Sequence, residues 1–213
     1  MPKEFYSSDL TQKSIEVLRK LSKDIPDLVL IGGWAVNFYV GVQKSLDIDI
    51  VISADKLAYF KKYEVKENEG LKIYSAIVDG VTVDLFVEGL SKNVLTIPIE
   101  KILSSYTVVD GIRTAPKSIL LLLKMCGYFG SDPTKIDKDI IDVVSLLFYS
   151  GIGLEEVSVL IKTYKIDERK GFSGMLEYLD KGKRFWYYVT PSEEEYERLR
   201  ANSKRAIEVY RKK

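Results

Sequence analysis

The segment SLDIDIVI, residues 45–52, sets Leu46, Ile48, Ile50 and Ile52 against Ser45, Asp47, Asp49 and Val51. Alternation of this kind marks a β-strand, because successive side chains leave a strand on opposite faces. Asp47 and Asp49 therefore share a face, about 7 Å apart along the chain. Aspartate is depleted in strands and rarely buried without a partner. The flanking isoleucines argue for a central strand, so the fold must bring two carboxylates to a sheet and supply something positive opposite them.

The surrounding segments predict what stands near that strand. Residues 9–23 carry Leu10, Val17, Leu18 and Leu21 at helical spacing, with Ser8 or Asp9 as cap. LVLI at residues 28–31 reads as a short buried strand, Gly32 and Gly33 as a turn, and WAVNFYV as a helix ending near Gly41. A polar or helical stretch follows residue 53. Asp79-Gly80 then reads as a hairpin turn between strands 72–78 and 81–87, with Asp84 in the second strand between Val83 and Leu85. Asp110-Gly111 suggests another hairpin.

From Pro116 the pattern becomes helical. KSILLLLKMCGYF has Pro116 in its first turn and Gly127 and Gly130 near its end, and KDIIDVVSLLFYSG and LEEVSVLIKTY follow with a break at residues 151–153. A capping box, Ser192 to Glu195, opens the last helix. The expected fold is α+β: a mixed β-sheet flanked by helices over residues 1–115, then a helical domain over residues 116–213.

Composition removes several chemistries. The chain has no histidine, which excludes serine–histidine triads and histidine-ligated zinc. Its one cysteine, Cys126, lies in an apolar stretch and reads as a small core residue. A net charge of +1 gives no global attraction to nucleic acid or membrane. No apolar run approaches the length of a membrane span, and no leader pattern opens the chain, so a cytoplasmic protein without membrane contact is expected.

Chemistry must then run on carboxylates, lysines and oxygen-bound metal. Asp47, Asp49 and Asp84 gather negative charge that a hard divalent cation would relieve, magnesium or manganese in its place. Paired ions would account for three carboxylates and would suit in-line phosphoryl chemistry. A Gly-Gly turn leading into a helix offers backbone N–H groups to phosphate oxygens.

The pattern GGWAV…SLDIDIVI…TVDLFV resembles the nucleotidyltransferase superfamily of the polymerase-beta type. GGWAV is similar to the wording of aminoglycoside and lincosamide nucleotidyltransferases. PKSILLLLK (residues 116–124) followed by KDIID (residues 138–142) resembles AbiEii-type abortive-infection toxins. The resemblance covers residues 28–147. It implies a nucleotidyltransferase-like fold and transfer of a nucleoside monophosphate from a nucleoside triphosphate to a hydroxyl on RNA, protein or a small molecule. Gly32 and Gly33 would hold the triphosphate, Asp47 and Asp49 would ligate magnesium, and Asp84 would complete a metal site and orient or deprotonate the acceptor hydroxyl. Lys124 and Lys138 would contact phosphate, while Asp142 would position a lysine or the acceptor. Lys44 stands where relatives carry arginine, a point charge in place of a two-pronged contact, and Ser45 stands where they often carry histidine, serine or arginine. A transfer RNA, an antibiotic and a protein hydroxyl are all open as acceptors, and an antitoxin protein is a candidate partner.

Each residue also has a plainer reading. Asp47 and Asp49 could lie on a solvent-facing strand, paired to Lys44 or Lys72. Lys124 could snorkel from a buried helix, and Lys138 and Asp142, one turn apart, could form a surface ion pair. Trp34 reads as helix packing. DKGKRFWYYV (residues 180–189) interleaves basic and aromatic residues as single-strand nucleic-acid sites do, and reads alternatively as an edge strand or loop packing its aromatics inward. A non-catalytic nucleotide- or protein-binding module on the same fold is the alternative function.

Overall fold

Turn chemistry and alternation build a seven-stranded mixed sheet in a computed structural model that describes residues 2–69, 72–91, 95–126 and 133–212. Its strands are β1 (Val29–Ile31), β2 (Ile48–Ile52), β3 (Glu64–Asn68), β4 (Ile73–Val78), β5 (Val81–Val87), β6 (Thr107–Val109) and β7 (Ile112–Thr114), in the order β3-β4-β5-β2-β1-β7-β6. Both Asp-Gly pairs close two-residue hairpins: Val78 faces Val81 and Val109 faces Ile112. Asp79, Gly80, Asp110 and Gly111 all have positive φ, as the mirror-image hairpin turns require. The edge strand β3 occupies part of the stretch expected to be polar or helical. Its residues, EVKEN, are mostly exposed and lack the apolar period that marks a buried strand.

β2 lies at the centre, antiparallel to β1 and parallel to β5. All five of its residues are buried: Ile48, Ile50 and Ile52 line one face of the sheet, Asp49 and Val51 the other, and Asp49 alone breaks the strand's apolar run. Helices pack around it: α1 (Ser8–Asp24), α2 (Gly32–Val40), α3 (Leu57–Phe60) and α4 (Ile99–Ser104) before residue 116, and after it α5 (Lys117–Met125), α6 (Pro133–Tyr149), α7 (Leu154–Thr163), α8 (Phe172–Lys181), α9 (Trp186–Val189) and α10 (Glu193–Arg211). Among the described residues from 116 on, every regular element is helical. Pro116 is the N-cap of α5 rather than part of its first turn, and the glycines expected near its end, Gly127 and Gly130, lie outside the described residues. Ser192 caps α10, its hydroxyl accepting from the Glu195 N–H at 3.2 Å.

One hydrophobic cluster runs from Val17 and Leu18 on α1 through β2 and α5 to Tyr196 and Ile207 on α10. Trp34 belongs to it, with its indole N–H donating to the buried Ser14 hydroxyl at 2.7 Å. Cys126 is partly buried against the same cluster. No helix among the described residues is long and apolar enough to cross a membrane.

Candidate active site

Strand register places the carboxylates. Ile31 on β1 faces Asp49 on β2, Asp49 faces Asp84 on β5, and Asp84 faces Ser75 on β4. Residues in one such row leave the sheet on the same face, and neighbouring strands lie about 4.8 Å apart. Asp49 and Asp84 therefore project side by side, with the Ser75 hydroxyl donating to Asp84 Oδ1. Asp47, two residues before Asp49, projects on that face as well, and Ser45 donates to its Oδ1 at 2.8 Å. A row of register partners thus does what the alternation in SLDIDIVI predicted, and adds Ser75, which a lone serine in IYSAIV could not announce.

Across the face stand the glycine turn and two helices. β1 runs straight into α2 at Gly32, whose φ of +69° suits glycine, and a Cβ there would overlap the Asp49 carboxylate. At Gly33 a Cβ would come within 2.6 Å of the Ser45 hydroxyl and 3.8 Å of the Lys138 ammonium. The paired glycines let the start of α2 press against the aspartate strand, with its positive end beside Asp49. From α5, Lys124 reaches Asp139 Oδ1 at 2.6 Å and Asp142 Oδ2 at 3.1 Å. Lys138, one turn before Asp142 on α6, pairs with Asp142 Oδ1. Lys124, Lys138, Asp139 and Asp142 are all buried. Neither the snorkelling reading of Lys124 nor the surface-pair reading of Lys138 and Asp142 survives this.

The electrostatics follow from the crowding. Asp49 is 3% exposed and its Oδ1 has no hydrogen-bond partner. Burial first, then the charges of Asp47 and Asp84, push its pKa well above the usual carboxylate range, against a smaller pull from Lys124 and Lys135. Asp84 is raised by burial and by Asp47, with the Ser75 hydrogen bond and Lys135 opposing. Burial lowers the proton affinity of Lys124, but Asp139 and Asp142 outweigh it and hold the ammonium above its ordinary value.

Two cavities open here. A small one, about 40 Å³, is lined by Gly33, Ser45, Asp47, Asp49, Lys124 and Lys138 among others. A larger one, about 430 Å³, lies on the Asp84 side with Thr82, Lys13 and Asp9 in its wall. Asp47 and Lys135 line both. A water needs about 10–15 Å³, so the first holds a few waters and the second has room for a small organic group.

Of the residues singled out in the sequence, Gly33, Ser45, Asp47, Asp49, Lys124, Lys138 and Asp142 meet around the small cavity, Gly32 backs Asp49, and Asp84 faces the larger cavity. Lys44 does not join them; it lines neither cavity and lies 3.4 Å from Glu4 on the surface. Lys72 pairs with Glu67 instead of an aspartate of the site. Asp139, Lys135, Tyr6 and Ser75 were missed. Asp139 stood inside the quoted KDIID and could have been found by asking which helix position faces Lys124. Lys135 and Tyr6 carry no spacing signal of their own.

The basic-aromatic segment is helical, the end of α8 followed by a tight turn and α9, rather than an edge strand or loop. Phe185 is buried, and Lys181, Lys183 and Arg184 pair with Glu177, Glu197 and Asp137. Gln43 ties this segment to the N-terminal residues, its amide donating to Tyr188 O and Lys3 O at 2.7 Å and its carbonyl accepting from the Phe5 N–H.

The donor set suits a hard cation: carboxylates alone, one with an orphaned buried oxygen. As the side chains stand, no group of three acidic residues among those described is arranged to hold a metal ion. Lys135, 3.7 Å from Asp47 Oδ2, supplies positive charge there instead. Compared with known proteins, the chain matches no protein-family model and no curated protein at a significant level.

Proposed function

We propose that this chain is a magnesium-dependent nucleotidyltransferase that moves a nucleoside monophosphate from a nucleoside triphosphate to a hydroxyl acceptor. The observation that carries this reading is the row Ser75–Asp84–Asp49–Ile31, which sets two carboxylates side by side, with Asp47 beside them, opposite a glycine turn and two buried lysines. Burial and mutual repulsion raise the pKa values of Asp49 and Asp84 together, a pattern that clusters at functional sites.

Asp47, Asp49 and Asp84 would hold the divalent ion, which when bound neutralises charge on phosphate oxygens and eases ionisation of a nearby hydroxyl. The chain's own groups divide the remaining work. The Gly33 turn at the start of α2 presents N–H groups to phosphate, and the Lys124 and Lys138 ammoniums, fixed by Asp139 and Asp142, add charge from the other wall. The acceptor hydroxyl oxygen bonds to the α-phosphorus, the bond to the pyrophosphate oxygen breaks, and the hydroxyl proton passes to Asp84. Ser75 holds Asp84 in orientation for that transfer. The larger cavity beside Asp84 gives the acceptor its approach.

A second reading, a non-catalytic nucleotide- or protein-binding module, is favoured by Lys135, which already gives Asp47 a cationic partner. Incubation with α-labelled triphosphates, magnesium and a mixed RNA pool separates the two. The enzyme reading expects label on an acceptor, lost by about 10²-fold or more in Asp49→Asn. Transfer undiminished by Asp49→Asn or Asp84→Asn removes the site assignment; absence of transfer with magnesium-dependent triphosphate binding intact favours the module.

A further inference from the structure

We propose that Lys135 is a latch across the carboxylate site: its ammonium holds Asp47 in the metal-free protein, divides the cleft, and competes with a divalent cation for the same oxygens. The proposal rests on the reading of Asp47, Asp49 and Asp84 as a cation site. Lys135 lies in the first turn of α6, three residues before Lys138, and its Nζ is 3.7 Å from Asp47 Oδ2. Its charge is also felt at Asp49 and Asp84, so it serves all three carboxylates and not Asp47 alone.

Three observations separate Lys135 from the other lysines of the site. Lys124 and Lys138 are buried and pinned by Asp139 and Asp142, whereas the Lys135 side chain is 44% exposed. A lysine with a long flexible stem and its head near water can withdraw at low cost, which a buried ammonium cannot. Second, Lys135 and Asp47 line both cavities, so the pair stands where the space beside Asp49 meets the space beside Asp84. Third, its ammonium lies 3.7 Å from Asp47 Oδ2, an oxygen that a cation at this site would take. An ammonium in the cation's place accounts for all three observations. It offsets part of the carboxylates' charge and must leave Asp47 when a cation takes the same oxygen.

The test is manganese affinity, read from the signal of the free ion in electron paramagnetic resonance, for the wild-type chain, Lys135→Met, Lys135→Arg and Asp49→Asn. Charges about 4 Å apart in a half-buried site alter a binding constant by about tenfold or more. Lys135→Met should therefore bind manganese about tenfold more tightly or better, while Lys135→Arg, which keeps the charge, stays near the wild-type value. Urea unfolding confirms that each variant is folded, and Lys135→Gln replaces Lys135→Met if that variant fails to fold. Affinity unchanged or weakened in Lys135→Met, with binding still abolished by Asp49→Asn, overturns the latch and leaves the cation site standing. Binding indifferent to Asp49→Asn, or absent even from Lys135→Met, overturns the cation site and the latch with it.

Discussion

Asp49 is the residue at which sequence, packing and chemistry meet. Its folded-state pKa lies above its unfolded value, so its contribution to stability is full below the unfolded pKa and is lost as pH rises through the folded one. Metal-free protein should accordingly lose stability as pH rises above the ordinary carboxylate range toward the raised pKa of Asp49, and Asp49→Asn should flatten that loss and raise the thermal midpoint at its high-pH end. A chain of this size gains about 2–4 °C per kcal/mol, so differential scanning calorimetry resolves the effect. A lower midpoint in Asp49→Asn would mean that its cationic neighbours dominate over burial and repulsion. Gly32 lies hard against the same carboxylate. Gly32→Ala combines a positive φ with overlap on Asp49 and should cost about 2 kcal/mol or more in urea unfolding. Removing the carboxylate by Asp49→Ala should recover part of that cost, so the double-mutant cycle should show coupling; strict additivity would mean that Gly32 answers to backbone conformation alone.

At the scale of elements, α5 and α6 are joined by charge inside the core as well as by apolar packing. Asp142 contacts both Lys124 and Lys138, and all three are buried. Asp142→Ala leaves two ammoniums short of their counter-charge, a change that costs about 3–5 kcal/mol when one partner of a buried pair is removed. Combining it with Lys138→Met should restore part of the loss, measurable as a shift in the urea midpoint; no recovery would place the cost in the cavity left by Asp142. Much of this layer was legible in the sequence. SLDIDIVI, the two Asp-Gly turns and the helical run after Pro116 each agree locally with the fold they join. The exposed edge strand β3 was not legible because EVKEN has no apolar face to show a period. The 181–188 segment was misjudged for the opposite reason: aromatics crowd there because Phe185 and its neighbours pack on helices far away in sequence, a tertiary cause that local pattern does not carry.

Taken whole, the molecule brings together groups from β2, β5, α2, α5 and α6 that lie far apart in sequence, from Gly33 to Asp142, and the mixed sheet is what makes them meet. The carboxylates were readable because the strand period fixes their face, and Lys124 and Lys138 because a family pattern marked them. Lys135 and Asp139 were not singled out, since which lysine meets which acid depends on how α6 sits over the sheet. The central claim is that these carboxylates, facing the Gly32–Gly33 bend, hold a divalent cation together with a triphosphate. Titration calorimetry with a non-hydrolysable nucleoside triphosphate, with and without magnesium, tests it most directly. The wild-type chain should bind the triphosphate only with magnesium, and Asp49→Asn should bind it at least about tenfold more weakly. Equal binding by both proteins, or binding by the wild type that magnesium leaves unchanged, would contradict it.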